Sequence, residues 1–154
     1  HLIGRLQAMG RTQSVLARPS GSKICIAELV SDELLVAAVD QNRCRVDGPA
    51  VMLAPHVSEI VTLAIHELAT NSIKFGALGD KGNIRINWTT LVRHQVVWLK
   101  FSWQETSPLR AFIPLHKGFG TRLIEERIPY ELDGKGRLRV HNAGVVAEFE
   151  FPLN

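Results

Sequence analysis

Glu67, Asn71 and Lys74 fall at i, i+4 and i+7 of a helix-period run that starts near Pro55. At 3.6 residues per turn, that spacing puts a carboxylate, an amide and an ammonium in one row along a helix. Ile60, Leu63, Ala64, Leu68 and Ile73 give the same run an apolar flank, so the polar row is a separate stripe. Such a row suits a substrate that brings phosphates and a divalent ion. Magnesium takes oxygen ligands and commonly joins one or two protein oxygens to substrate phosphates. The amide of Asn71 can serve without adding negative charge beside them. Glu67 can accept or orient a proton, and Lys74 can set an ammonium against phosphate oxygens. The plain alternative is a solvated helix face, the commoner meaning of three polar residues at this spacing. His66-Glu67 also opens like the metalloprotease motif H-E-x-x-H, but Thr70 stands where the second histidine must be. That chemistry is excluded.

The row needs a long helix behind it. Pro55 is a favoured first-turn residue, and Gly76 reads as a left-handed stop. Before it, residues 27–39 read as an amphipathic helix carrying Leu29, Val30, Leu34, Val36 and Ala37. Two short strands, Arg43–Asp47 and Ala50–Leu53, are split by a tight reversal at Gly48-Pro49. After Gly76 a polar turn, Gly79-Asp80-Lys81-Gly82, leads into the alternation Ile84, Ile86, Trp88. Thr89–His94 reads as a hairpin connection to a run from Gln95 to Trp103, with Val97, Leu99, Phe101 and Trp103 in phase. Residues 106–117 form a loop bearing Pro108 and Pro114, 119–128 a short helix, and Gly134–Val140 with Val145–Phe151 a closing hairpin. At the other end, residues 2–17 read as a helix broken by Pro19, Ser20 and Gly21. Helices and strands in this order predict an α+β domain, a mixed sheet covered on one face by helices.

Composition narrows the class. The chain has 154 residues, 45% of them hydrophobic and 21% charged, as expected of one globular domain. No apolar run is long enough to span a bilayer and no signal peptide opens the chain, so no membrane contact is expected. Cys25 and Cys44 make neither a disulfide nor a zinc framework, which fits reduced thiols in a cytoplasmic protein. A net charge of +3, evenly spread, gives no footprint for nucleic acid.

Three blocks in order carry a more specific signal. The string from His66 to Leu78 resembles the N box of the HWE branch of sensor histidine kinases, whose ATP-binding domain belongs to the GHKL superfamily. That branch is named for a histidine inside the N box and a later Trp-x-Glu, matched here by His66 and by Trp103-Gln104-Glu105. Gly118-Phe119-Gly120-Thr121-Arg122-Leu123-Ile124 is similar to the glycine-containing box that follows. The resemblance implies the two-layer α/β sandwich of GHKL (Bergerat) domains over residues 22–154. It also implies that residues 1–18 are the end of a dimerisation and histidine-phosphotransfer helix.

The resemblance further implies Mg-ATP as ligand, with Asn71 holding Mg2+ and Glu67 as the catalytic carboxylate. Lys74, Lys117, Thr121 and Arg122 would be phosphate donors, and His116 stands beside them. Gly118, Phe119 and Gly120 would bring backbone N–H groups to the phosphates. Glu105 would accept from the adenine amine. Phe75 packs on the adenine or joins the core, and His66 touches a phosphate or is a hydrogen-bonded packing residue. Trp103, in phase with Phe101, reads as core. The implied reaction passes the γ-phosphoryl to a histidine outside these residues, for relay to a response regulator.

One departure stands out. Family members follow Trp-x-Glu with a Gly-Gly-Pro-like turn, where this chain has Glu105-Thr106-Ser107-Pro108. Val145 likewise replaces a small hydroxyl residue. These differences motivate a second reading, a degenerate GHKL module that binds a partner without catalysis. A third is an anti-sigma-factor-like serine kinase, which shares the ATP fold.

Overall fold

The computed structural model describes residues 22–79, 81–107, 119–141 and 144–153. The helix expected over 2–17, and the hairpin end expected over 1–18, lie outside them. In chain order come β1 (Ile24–Cys25), α1 (Ile26–Val36), β2 (Cys44–Asp47), β3 (Met52–Leu53) and α2 (Pro55–Phe75). Then follow β4 (Asn83–Arg93), β5 (Val96–Thr106), α3 (Phe119–Arg122), α4 (Ile128–Leu132), β6 (Lys135–His141) and β7 (Gly144–Leu153).

The main sheet has five strands in the order β2-β4-β5-β7-β6, with β2 parallel to β4 and the other pairs antiparallel. Alternation does the sorting. Ile84, Ile86 and Trp88 on β4, Leu99, Phe101 and Trp103 on β5, and Ala147, Phe149 and Phe151 on β7 are all buried. Register sets Trp88 beside Phe101 and Phe101 beside Phe149, so the rings stack with centroids 6.4 and 4.7 Å apart. Ile26, Leu29, Val30 and Leu34 of α1 join the same core, as do Ile60, Ala64, Ile65 and Leu68 of α2. Each leucine, isoleucine, valine or phenylalanine among them contributes about 1.5–3 kcal/mol on burial. The sheet's other face carries Arg85, Lys100, Arg137, Arg139, Glu148 and Glu150 in the opposite phase, so helices cover one face only. No helix among the described residues is long and apolar enough to cross a membrane.

Three elements differ from expectation. β2 and β3 do not form a hairpin, because β3 pairs antiparallel with β1 in a separate two-stranded sheet. Between them the chain crosses the Trp88 ring: Pro49 O accepts from Trp88 Nε1 at 2.8 Å, and a Cβ on Gly48 would strike the indole. A segment lying over an indole cannot reverse on itself there. The helix expected over 119–128 runs on to Leu132 through a wide π-helical turn, Leu123–Arg127, where Ile128 N bonds Leu123 O. That widening admits Pro129, whose ring would clash in a regular helix.

The third difference is the end of β4. The strand continues to Arg93, and the turn is only His94-Gln95, with φ of 49° and 67°. Two left-handed residues make the hairpin turn that normally calls for Asn-Gly, so its sequence conceals it. Neither residue escapes the Cβ penalty of that conformation. Gln95→Gly is therefore expected to stabilise the domain by about 0.5–1 kcal/mol, after the extra unfolded-state entropy of glycine is subtracted. Urea unfolding checks it: a lower midpoint in the variant would mean the turn stores no strain.

Candidate functional site

The polar row expected on the central helix is there. On α2, Ile60, Val61, Ala64, Ile65, Leu68, Ala69 and Ser72 point into the core, while Glu67 and Asn71 are half-buried and Lys74 is exposed. Gly120, at the start of α3, packs on this row. A Cβ there would lie 3.1 Å from Asn71 Nδ2 and 3.7 Å from Glu67 Cβ. Residues 49 and 53 positions apart are thus brought face to face with no side chain between them. Thr121 is half-buried and Arg122 exposed beside it, and Phe119 begins the helix. Lys117 and Gly118 lie outside the described residues.

The carboxyl of Glu105 lies at the end of the same helix and is 4% exposed. Its Oε1 accepts from Ser72 Oγ at 2.8 Å and from Ala77 N at 3.0 Å. Its Oε2 accepts from Trp103 Nε1 at 2.9 Å. Burial pushes the Glu105 carboxyl above its usual range, and the bonds from Trp103, Ser72 and Ala77 pull the other way. Gly76 does not end the helix left-handed: its φ and ψ are −121° and −151°, an extended conformation. Its lack of a side chain matters for another reason, since a Cβ there would run into Glu105 Oε1. Phe75, just before, is 55% exposed and so is not a core residue.

His66 goes elsewhere. It is 8% exposed and turns towards α1, with Nδ1 3.6 Å from Glu33 Oε2. Neither of those atoms has a hydrogen-bond partner. The ring is buried against α1 without the hydrogen bond expected of a packing histidine.

Three participants escaped sequence reasoning, and a fourth, Trp103, was legible only as core. Ser72 both donates to Glu105 and accepts from Leu78 N at 3.1 Å. Trp103 proves to be core and a hydrogen-bond donor at once. Arg43 holds the loop after α2, donating to the carbonyls of Gly82, Leu78 and Ala77. Glu33 is 2% exposed. Of the three that escaped, only Glu33 left a legible trace: it occupies the apolar phase of α1, four residues after Leu29 and three after Val30.

The residues present fit a magnesium–phosphate group. Asn71 would offer the ion its amide oxygen, Glu67 stands one turn away, and the bare backbone of Gly120 leaves the space beside them that a side chain would fill. Among the described residues, no cluster of three or more His, Cys, Asp and Glu could hold a metal by itself. The ion would complete its shell with phosphate oxygens and water.

No protein-family profile matches the chain. It is 26% identical over 151 residues to the blue-light-activated histidine kinase of Brucella ovis, covering 97% of this chain and 31% of that protein. The chain thus spans about a third of the length of such curated relatives. The histidine kinase domain of the blue-light activated histidine kinase of Erythrobacter litoralis matches its fold with a TM-score of 0.64 at 13% identity, over 97% of this chain and 73% of that one. The catalytic domain of histidine kinase ThkA matches with a TM-score of 0.58 at 16% identity, over 85% and 95% of the two chains. ThkA in complex with the response regulator protein TrrA matches with 0.53 at 16%, over 86% and 42%.

Proposed function

We propose that this chain, which is similar to blue-light-activated histidine kinases and shares the mixed-sheet fold of histidine kinase catalytic domains, binds Mg-ATP along the Glu67–Asn71 row and supplies the γ-phosphoryl for transfer to a histidine. The acceptor would lie on a dimerisation and phosphotransfer hairpin of the parent protein, with a response regulator as the next partner. The observation that carries the reading is the approach of Gly120 to Asn71 and Glu67, which joins the N-box row to the glycine box.

Each residue then has a task set by its placement. Asn71 holds the magnesium through its amide oxygen, and Gly120 gives the phosphates backbone room. Magnesium, when bound, neutralises charge on the phosphate oxygens. Lys74, exposed one turn after Asn71, and Arg122, exposed on α3, are free to swing onto the phosphates. Glu67 orients the incoming imidazole and accepts its proton. Base catalysis of this kind contributes about 10²–10⁴-fold, and phosphoryl transfer otherwise depends on positioning and charge compensation. Phe75 offers an exposed ring to the adenine face. Glu105 has about four acceptor positions as a carboxylate and protein donors take three, leaving one on Oε2 for the adenine amine.

The test is titration calorimetry of the chain with Mg-ATP. The wild type should bind. Gly120→Ala should bind about tenfold more weakly, since a methyl forced against Asn71 costs about 1–3 kcal/mol where packing is tight. A wild-type chain that takes up no nucleotide would defeat the proposal.

A further inference from the structure

Glu33 and His66 meet across the α1–α2 interface, 2% and 8% exposed. The contact between Nδ1 and Oε2 is 3.6 Å, just too long for a hydrogen bond, and both atoms are otherwise unpartnered. Leaving two polar atoms buried and unpaired is costly, and these two are chemically complementary. A carboxylate only accepts, and an imidazole N–H donates. Contacts of this kind are often long in a ligand-free site and tighten when it fills. The pair also stands in a particular place, because His66 directly precedes Glu67 and lies five residues before Asn71 on the same helix.

We propose that Glu33 is a positioning residue for the phosphate side of the nucleotide site: its carboxylate accepts a hydrogen bond from His66 Nδ1–H, fixes that ring's tautomer and rotation, and leaves Nε2 free to meet the phosphates. The proposal rests on the nucleotide reading above. Which ring nitrogen carries the proton is set by what the other nitrogen faces, and a carboxylate behind an imidazole is a general way of aiming it. Nδ1 is sealed in the interface, so the 10% of the His66 side chain that stays accessible lies away from Glu33. No other described charged group is drawn into the pair: Glu33 comes from α1, His66 from α2, and Arg122 on α3 is exposed.

The rival is a purely structural pin between two helices, and two conservative variants separate them. His66→Asn keeps a donor where Nδ1 stands and loses the outer nitrogen; His66→Gln reaches the outer position and gives up the inner one. Positioning predicts that Gln retains more Mg-ATP affinity than Asn, although Asn preserves more thermal stability. A pin predicts that Asn is best in both.

Nitrogen-15 histidine spectra of the whole chain give an independent reading. Wild-type His66 should carry its proton on Nδ1. Glu33→Met should shift it to Nε2 and weaken Mg-ATP about tenfold, in the range typical of lost orienting partners. A wild-type proton on Nε2, or equal affinities for wild type and Glu33→Met, overturns the inference while the nucleotide reading stands. Absence of any Mg-ATP binding by the wild type overturns both.

Discussion

Asn71→Ala is expected to remove Mg-ATP binding, with affinity falling at least about 100-fold, or about 2.7 kcal/mol. The amide supplies the oxygen that ties the ion to the protein, and the phosphates held through the ion go with it; charge stabilisation by a bound metal is worth several kcal/mol. Glu67, one turn away, cannot replace it without setting a second negative charge among the phosphates. Asn71 is only half-buried, and its nitrogen faces a bare glycine, so the fold should survive with a stability change within about 1 kcal/mol. Chelating magnesium from the wild type should imitate the mutation. Calorimetry of both proteins, with magnesium and with chelator, decides it. If Asn71→Ala binds as tightly as wild type, the ion is held somewhere else.

Glu105→Leu is expected to be severely damaging to stability. It strands Ser72 Oγ, Ala77 N and Trp103 Nε1 in a dry interior at once. At about 1–3 kcal/mol for each orphaned donor, partly relieved by relaxation, the loss should be about 3–5 kcal/mol. Glu105→Gln keeps one carbonyl oxygen and should cost less.

The same carboxyl sets a pH signature. Burial raises its folded pKa above the usual carboxylate range, so the folded chain holds the proton more tightly than the unfolded one. Its favourable contribution is therefore complete below the pKa of an unfolded-chain glutamate and is lost as pH climbs through the raised folded value. Urea midpoints measured from pH 4 upward should fall in the wild type relative to Glu105→Gln, which has nothing to ionise. A rise instead would mean that the three donors outweigh burial.

Local rules made the central helix legible: a proline in its first turn, an apolar stripe, and a polar row at i, i+4 and i+7. Period two likewise placed Trp103 and Glu105 on one side of β5, though not the bond between them. Partners distant in sequence were out of reach. The donors that meet Glu105 come from 33 and 28 residues away, and nothing in Ser72 or Ala77 announces them. The pairing of β1 with β3 was hidden because each strand has two residues, too few for any period to register. The β4 end was missed for the opposite reason: Thr89–Arg93 continues the strand, but His94-Gln95 lacks the residues that advertise a turn. On Gly76 the type of residue was informative and the reason given for it was not, since closeness to Glu105 excludes a side chain there and left-handedness does not.

The guanidinium of Arg43 grips main-chain carbonyls of residues 77, 78 and 82, never their side chains. A grip on backbone is blind to the letters it holds. Position 78, half-buried, can drift in sequence so long as the path of the chain is kept, whereas position 77 is held small by the core around it and position 82 by Thr106 O, with which a Cβ would collide. Arg43 itself is the fixed point: lysine has the charge but not the fork, and would leave carbonyls without a donor. Variation beneath the nucleotide site is thereby permitted by one residue that must not vary.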